Sequence, residues 1–180
     1  MRTFPARFAQ WSLVWCLALL ILVSPGAGCG GYKLGPTSGV AAGSRSIQVN
    51  FFQNKTLEPR LVESINNALR KNLQQEGTYR LATDSDGDIV VNGVITDFKR
   101  SAVGFQPADI LTVRDYLIFL TVHVRATERL TGKVVLDRES YGRTTIRVGA
   151  DLASAEREAV PMLADDLAKR VTSMLVDGAW

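Results

Sequence analysis

The sequence predicts an α+β domain in which two helices cover one face of a sheet. Three observations carry this. A strand and then a helix open the domain between Ser46 and Gly77. Three long period-two segments follow one another between Asp88 and Val148. A second helical stripe begins at Asp151. Side chains alternate across a strand with period 2 and recur on a helix with period 3.6, so the two patterns are separable.

Ser46 to Phe52 (SIQVNFF) alternates apolar and polar, with Ile47, Val49 and Phe51 on one side, and reads as a strand. Asn54-Lys55-Thr56 ends it, and Thr56 is placed to cap a helix. Glu58 suits the positive end of the helix dipole, and Pro59 is tolerated where early N–H groups have no intrahelical partner. Leu57, Leu61, Ile65, Ala68, Leu69 and Leu73 then fall on one stripe, and Gly77 is the stop. This predicts about twenty helical residues, ~30 Å long. Thr78 to Ala82 reads as a short strand, and Asp84-Ser85-Asp86-Gly87-Asp88 as a turn.

Asp88 to Arg100 (DIVVNGVITDFKR) reads as a long strand. Ile89, Val91 and Ile95 share one face, Val90, Val94 and Phe98 share the other, and Gly93 is read as a bulge position. Ser101 to Thr112 reads as a loop. Val113 to Thr127 is the second long strand, with Ile118, Leu120, Val122 and Val124 on its apolar face and Leu117, Phe119, Thr121, His123 and Arg125 opposite. Glu128 to Lys133 reads as a hairpin turn into a third, more polar strand, Val134 to Val148. In the last stripe, Pro161 either kinks one helix or starts a second after Val160. Two helices leave one sheet face uncovered, and Val94, Phe98, Leu117 and Phe119 lie there among polar residues, so that face is expected to meet something else.

The N-terminus predicts export. Arg2 and Arg7, the apolar run Trp11 to Val23 and then Ser24-Pro25-Gly26-Ala27-Gly28 follow the charged, apolar and small order of a secretory signal. The run falls short of the ~20 apolar residues that span a bilayer. Cys29 follows small residues, as does the cysteine that receives diacylglycerol in bacterial lipoproteins. Competing readings are an uncleaved anchor, or cleavage near Ala27 that leaves a free thiol. A lone thiol is a liability in an oxidising compartment, and Cys16 lies inside the apolar run. Several acyl chains on Cys29, at ~0.8 kcal/mol per buried CH₂, make a stable anchor. Gly30 lacks the acidic character that retains lipoproteins at the inner membrane, which favours the outer one. The division is therefore a signal peptide at 1–28, a Gly/Ser/Ala-rich tether at 29–45, spanning about 20 Å as a coil, and one domain at 46–180.

Composition excludes several functions. The whole chain carries a net charge of +3, but without Arg2 and Arg7 nineteen basic residues face eighteen acidic ones. A nucleic-acid partner is not expected of so neutral a chain. The domain has one histidine, His123, and no second His or Cys to build a zinc site or a Cys–His pair. Asp84, Asp86 and Asp88 fail the calcium-loop pattern, because Gly87 stands fourth rather than sixth and Ile95 occupies the bidentate position. Adjacent carboxylates such as Asp165 and Asp166 do not face each other on a helix. No enzyme and no cofactor beyond the lipid on Cys29 is expected. Lys99, Arg100, Arg114 and Arg143 lie near predicted strand ends, where basic groups either bind anionic headgroups or are simply solvated.

Several segments resemble one family. Cys29-Gly30-Gly31-Tyr32 is similar to the Cys-Gly-Tyr start of the lipopolysaccharide-assembly lipoprotein LptE. Ile47 to Thr56 (IQVNFFQNKT), the helix ending near Gly77 and TYRL resemble that family's opening unit. Asp88 to Ile95 (DIVVNGVI), Arg129 to Val135 (RLTGKVV) and Leu163 to Leu175 resemble its next strand, its hairpin and its last helix. The chain departs from the pattern at Gly26, at the additional Gly before Tyr32 and at Pro161. The resemblance implies two helices on one face of a mostly antiparallel or mixed sheet of about four strands. It implies a non-enzymatic outer-membrane partner that plugs the LptD β-barrel, assists its assembly and helps deliver lipopolysaccharide to the outer leaflet. In that setting Lys99, Arg100 and Arg114 are candidate contacts for lipopolysaccharide phosphates. Peptidoglycan-synthase activators and curli-secretion subunits share a similar opening unit and are the alternative, as is a free-standing lipid-binding protein.

Overall fold

The computed structural model describes residues 42–149 and 151–177, which fall in one compact unit. The signal segment and Cys29 lie outside the described residues. In chain order the elements are β1 (Arg45–Val49), β2 (Gln53–Asn54), α1 (Leu61–Glu76), β3 (Tyr79–Leu81), β4 (Ile89–Gln106), β5 (Asp109–Glu128), β6 (Val134–Arg147) and α2 (Leu152–Asp177). The class is α+β, as predicted. The sheet is larger than predicted: it has six strands in the order β3-β1-β4-β5-β6, with β2 beside β4. The additional strands are the short ones. β1 pairs parallel to both β3 and β4, and β4, β5 and β6 form an antiparallel meander.

Both helices lie on one face. The stripe Leu61, Ile65, Leu69 and Leu73 of α1 and the stripe Ala159, Leu163, Leu167, Val171 and Leu175 of α2 are buried against the inward row of the sheet, which includes Ile89, Ile95, Leu120 and Val122. Burial of one such side chain stabilises the fold by roughly 1.5–3 kcal/mol, so these rows dominate its energetics. Arg129 ties the β5–β6 turn back to the first strands. It donates to the Gly87 and Ser85 carbonyls at 2.8 and 2.6 Å and to Gln48 Oε1 at 2.5 Å.

The first helix starts later than its stripe suggests. α1 has 16 residues, begins at Leu61 and has Arg60 at its N-cap with no side-chain cap. Thr56 is not the cap and Leu57 is not in the stripe; Leu57 is fully exposed. Two causes hold this segment out of the helix. Pro59 disfavours helical backbone at Glu58. Asn54 Oδ1 accepts from the Thr56 N–H and hydroxyl at 2.9 and 2.8 Å, while its amide donates to the Glu58 carbonyl at 2.8 Å. The helix ends at Gly77, whose left-handed backbone (φ 78°) lets its N–H reach the Leu73 carbonyl.

Three further expectations change, and one open choice is decided. Ser101 to Thr112 is not a loop: β4 runs to Gln106 and β5 starts at Asp109, leaving Pro107-Ala108 as the turn. Gly93 is not a bulge; a Cβ there would lie 2.3 Å from the Phe52 ring, so it is a close-packing position. The register shift instead falls between Ile95 and Asp97. That extra residue turns Phe98 to the helix-covered face, where it packs on the core. Finally, α2 is a single helix with Pro161 inside it. Its start is capped by Asp151, whose Oδ1 accepts from the Ser154 N–H at 2.7 Å.

Candidate functional site

The Thr96 bulge separates Lys99 and Arg100. Neighbours on a strand point to opposite faces, and after the bulge it is Arg100 that turns inward. Its guanidinium pairs with Glu58 at 3.1 Å, forms an ion pair with Glu156 of α2, and lies 5.5 Å from the Phe98 ring centre. Burial raises the Glu156 carboxyl above its ordinary value, and Glu58 adds to that while Arg100 opposes it. Arg100 therefore joins the entry to α1, the strand β4 and the first turns of α2. Its two carboxylate partners, Glu58 and Glu156, line an adjoining cleft of about 300 Å³ together with Pro59, Leu61, Phe98 and Val160.

Lys99 lies on the open face with its amine paired to Asp97 and its side chain largely exposed. Arg114 is further along, near the hairpin end of β5. It pairs with Asp115 at 2.9 Å, and Arg147, directly opposite Asp115, completes the cluster at 2.8 Å. The Arg147 guanidinium is the main reason that the Asp115 carboxyl is held below the usual range. The fold thus places the three predicted basic residues in three separate environments. Arg143, the fourth of the basic group, uses its backbone N–H to donate to Asp166 Oδ2 at 3.0 Å.

The open face carries a shallow trough of about 350 Å³ lined by Asp97, Lys99, Phe119, Thr121, Glu139 and Tyr141. Next to it Asp137 holds His123 Nε2 at 2.6 Å and Arg125 at 3.8 Å. Leu117 and Phe119 lie here as predicted, and Phe98 does not. The surface thus combines aromatic area with paired charges.

The other candidates have structural roles. The Asp88 carboxylate accepts from the Ser46 N–H and hydroxyl at 2.7 and 2.8 Å, which keeps it below its ordinary value. Asp165 accepts from Asn72 at 3.1 Å and pairs with Lys169 at 2.8 Å, while Asp166 pairs with Arg170. Among the described residues no group of His, Cys, Asp and Glu could hold a metal ion. No helix among them is long and apolar enough to cross a membrane. Sequence reasoning missed Glu156 as the partner of Arg100, because α2 lies some fifty residues away and only the packed fold brings them together. The one local signal was an acidic residue in the first turns of an apolar helix.

A family model described as LptE, lipopolysaccharide-assembly, matches residues 44–175. No curated protein matches the chain in sequence. Solved structures share its fold at low identity. A minor lipoprotein from Acinetobacter baumannii matches at TM-score 0.51 and 15% identity, over 74% of this chain and 93% of that one. A protein from Xanthomonas campestris matches at TM-score 0.57 and 8% identity, over 81% and 91%. A hypothetical protein from Chlamydia trachomatis matches at TM-score 0.56 and 9% identity, over 77% and 98%.

Proposed function

Since the chain belongs to the LptE lipopolysaccharide-assembly family, we propose that it is an outer-membrane lipoprotein that partners an LptD-like β-barrel. In this reading it is not an enzyme. It is anchored by lipid on Cys29, occupies the barrel as a plug, assists barrel assembly and helps pass lipopolysaccharide to the outer leaflet. The observation that supports a partner is the sheet's open face. Helices cover one side alone, and the other presents Leu117, Phe119 and Tyr141 among paired charges. A partner wall would cover such a surface, and an isolated monomer gains nothing by exposing it.

Lys99, Arg100 and Arg114 remain the proposed contacts for lipopolysaccharide phosphates. Lys99 is the most accessible of them. Arg100 already has two carboxylate partners, so it would reach a phosphate only by exchanging one of them.

Chemical crosslinking of the full chain in its native membrane, followed by mass spectrometry of the captured partner, tests the reading. An LptD-like barrel is the expected product. Recovery of a peptidoglycan synthase, or of no barrel, overturns it.

A further inference from the structure

The outer edge of β4 changes character at the bulge. Up to Ile95 it is covered, since β1 pairs with residues 89–91 and β2 with 94–95. Beyond that, among the described residues no strand pairs it, although β4 continues to Gln106. β6 in turn reaches only as far as Asp115, opposite Arg147. The end of the hairpin is therefore a two-stranded ribbon, and such ribbons are marginally stable in water by themselves. Val103, Phe105 and Leu111 are exposed on it.

The direction of the free backbone groups follows from register. The Val91 and Ile95 carbonyls accept from Asn50 and Lys55, so before the bulge the odd residues of β4 turn their polar groups away from β5. One extra residue reverses that order. Asp97, Lys99 and Ser101, opposite Thr121, Phe119 and Leu117, then bond to β5, and Phe98, Arg100 and Ala102 turn N–H and C=O to the uncovered side. The far side of the sheet agrees. Arg143 lies opposite Phe119 and directs its N–H outward to Asp166, as it must if Phe119 bonds toward β4.

This edge opens onto a groove of about 590 Å³ between Lys55–Glu58 and Thr96–Arg100. Leu57 stands fully exposed beside it, in the segment that the Asn54 side chain holds. Lys55 has no ion-pair partner among the described residues.

We propose that the free edge of β4 at Phe98, Arg100 and Ala102 is a strand-addition site for an extended segment of the barrel partner, with an apolar side chain against Leu57 and a carboxylate against Lys55. The inference rests on the barrel reading above. Alternate outward N–H and C=O groups are complementary to extended backbone and to little else. A second copy fits poorly. Two such edges centred on each other set Arg100 opposite Arg100, and a slide toward the bulge sets Lys99 opposite Lys99, both like-charge pairs. A slide toward the tip runs into the register shifts that begin at Ala102.

Amide hydrogen exchange of the full chain, alone and in complex with the LptD-like barrel of the same genome, tests this. In the isolated chain the amides of Asp97, Lys99 and Ser101 are expected to be slow and those of Phe98, Arg100 and Ala102 fast. In the complex the second set slows by about tenfold or more, since ladder hydrogen bonds protect amides. Ala102→Pro removes one outward N–H without touching the β4–β5 ladder and should weaken the complex by about tenfold with the fold intact. A barrel that binds with the edge amides unchanged, or that binds the Ala102→Pro chain as well as the wild type, overturns the inference and leaves the barrel reading standing. Failure to form any complex overturns both. Edge amides already slow in the isolated chain also overturn it: a dependence on protein concentration assigns the edge to a second copy, and its lack assigns the edge to the chain's own N-terminal segment.

Discussion

Ile95 and Phe98 are three positions apart on β4, yet both turn toward the helices. In an unbroken strand they would face opposite sides. Thr96 is the residue between them that has no counterpart in the register with β5. Its hydroxyl instead reaches back to the Thr121 carbonyl at 3.2 Å. The bulge thereby sets which basic residue faces the helices and which faces outward.

Deletion of Thr96 should remove the bulge without turning the strand over, because Asp97 already lies opposite Thr121 and Phe98 opposite Leu120. Phe98 and Arg100 then keep the helix-covered face, and Lys99 stays on the open one. We expect stability to change by less than about 1.5 kcal/mol. Urea denaturation of the two proteins measures it, and a loss of about 2–4 kcal/mol, that of turning Phe98 out of the core, would contradict the assignment of Thr96 as the supernumerary residue.

Arg100→Ala should destabilise the domain in a pH-dependent way. Near neutral pH it leaves the mostly buried Glu156 beside Glu58 without its cation. Because Arg100 is partly exposed, the loss is about 1–2 kcal/mol rather than that of a fully buried pair. The sign follows from the raised Glu156 pKa. A carboxyl whose folded pKa lies above its unfolded value opposes folding at higher pH, and that penalty disappears as pH falls through the folded pKa. Removing Arg100 raises that pKa further. The gap between variant and wild type should therefore narrow on acidification, as measured by urea midpoints at several pH values. A gap that widens would contradict it.

Gly142→Ala should be costly although alanine is small. The added Cβ would lie 2.6 Å from the Leu163 carbonyl oxygen and 2.9 Å from the Leu167 Cβ, so α2 would have to move off β6. Overpacking of this kind costs about 1–3 kcal/mol. A fall in thermal midpoint is the expected result, and Gly149→Ala, with no atom within 4 Å, serves as the neutral comparison.

Lys99→Glu should separate binding from folding. The side chain is exposed and its pairing with Asp97 is at the surface, so stability should change by less than about 0.5 kcal/mol. Affinity for purified lipopolysaccharide should fall roughly threefold to tenfold if Lys99 meets its phosphates. Equal affinities in a fluorescence titration would remove Lys99 from the contact.

Expressed without its barrel partner, which would hold it in the membrane in any case, the Cys29→Ser protein should be released from the membrane with the domain unaltered, because no described element includes Cys29. Fractionation should move it from the membrane pellet to the soluble fraction. Retention in the pellet would favour an uncleaved N-terminal anchor.

What the sequence determined by itself was every element whose cause is local. The stripe Leu61, Ile65, Leu69 and Leu73, the stop at Gly77 and the inward row of β5 were legible because burial on one face imposes a period that residues carry individually. The turn at Glu128 to Lys133 was legible from its own residues, since Gly132 supplies the left-handed backbone (φ 69°) that the turn needs. Tertiary structure decided what depends on partners. Residues 101–112, with Gly104 and Pro107 and no sustained alternation, look like a loop and become a ribbon because each strand supplies the other's hydrogen bonds. Val94 and Phe98 have matching parity in the sequence, and only the register with β5 shows that Thr96 is supernumerary. The candidate site followed: Lys99, Arg100 and Arg114 could be named in advance, but their faces and partners could not. A bulge is a mismatch between two strands, and no single strand contains the information that specifies it.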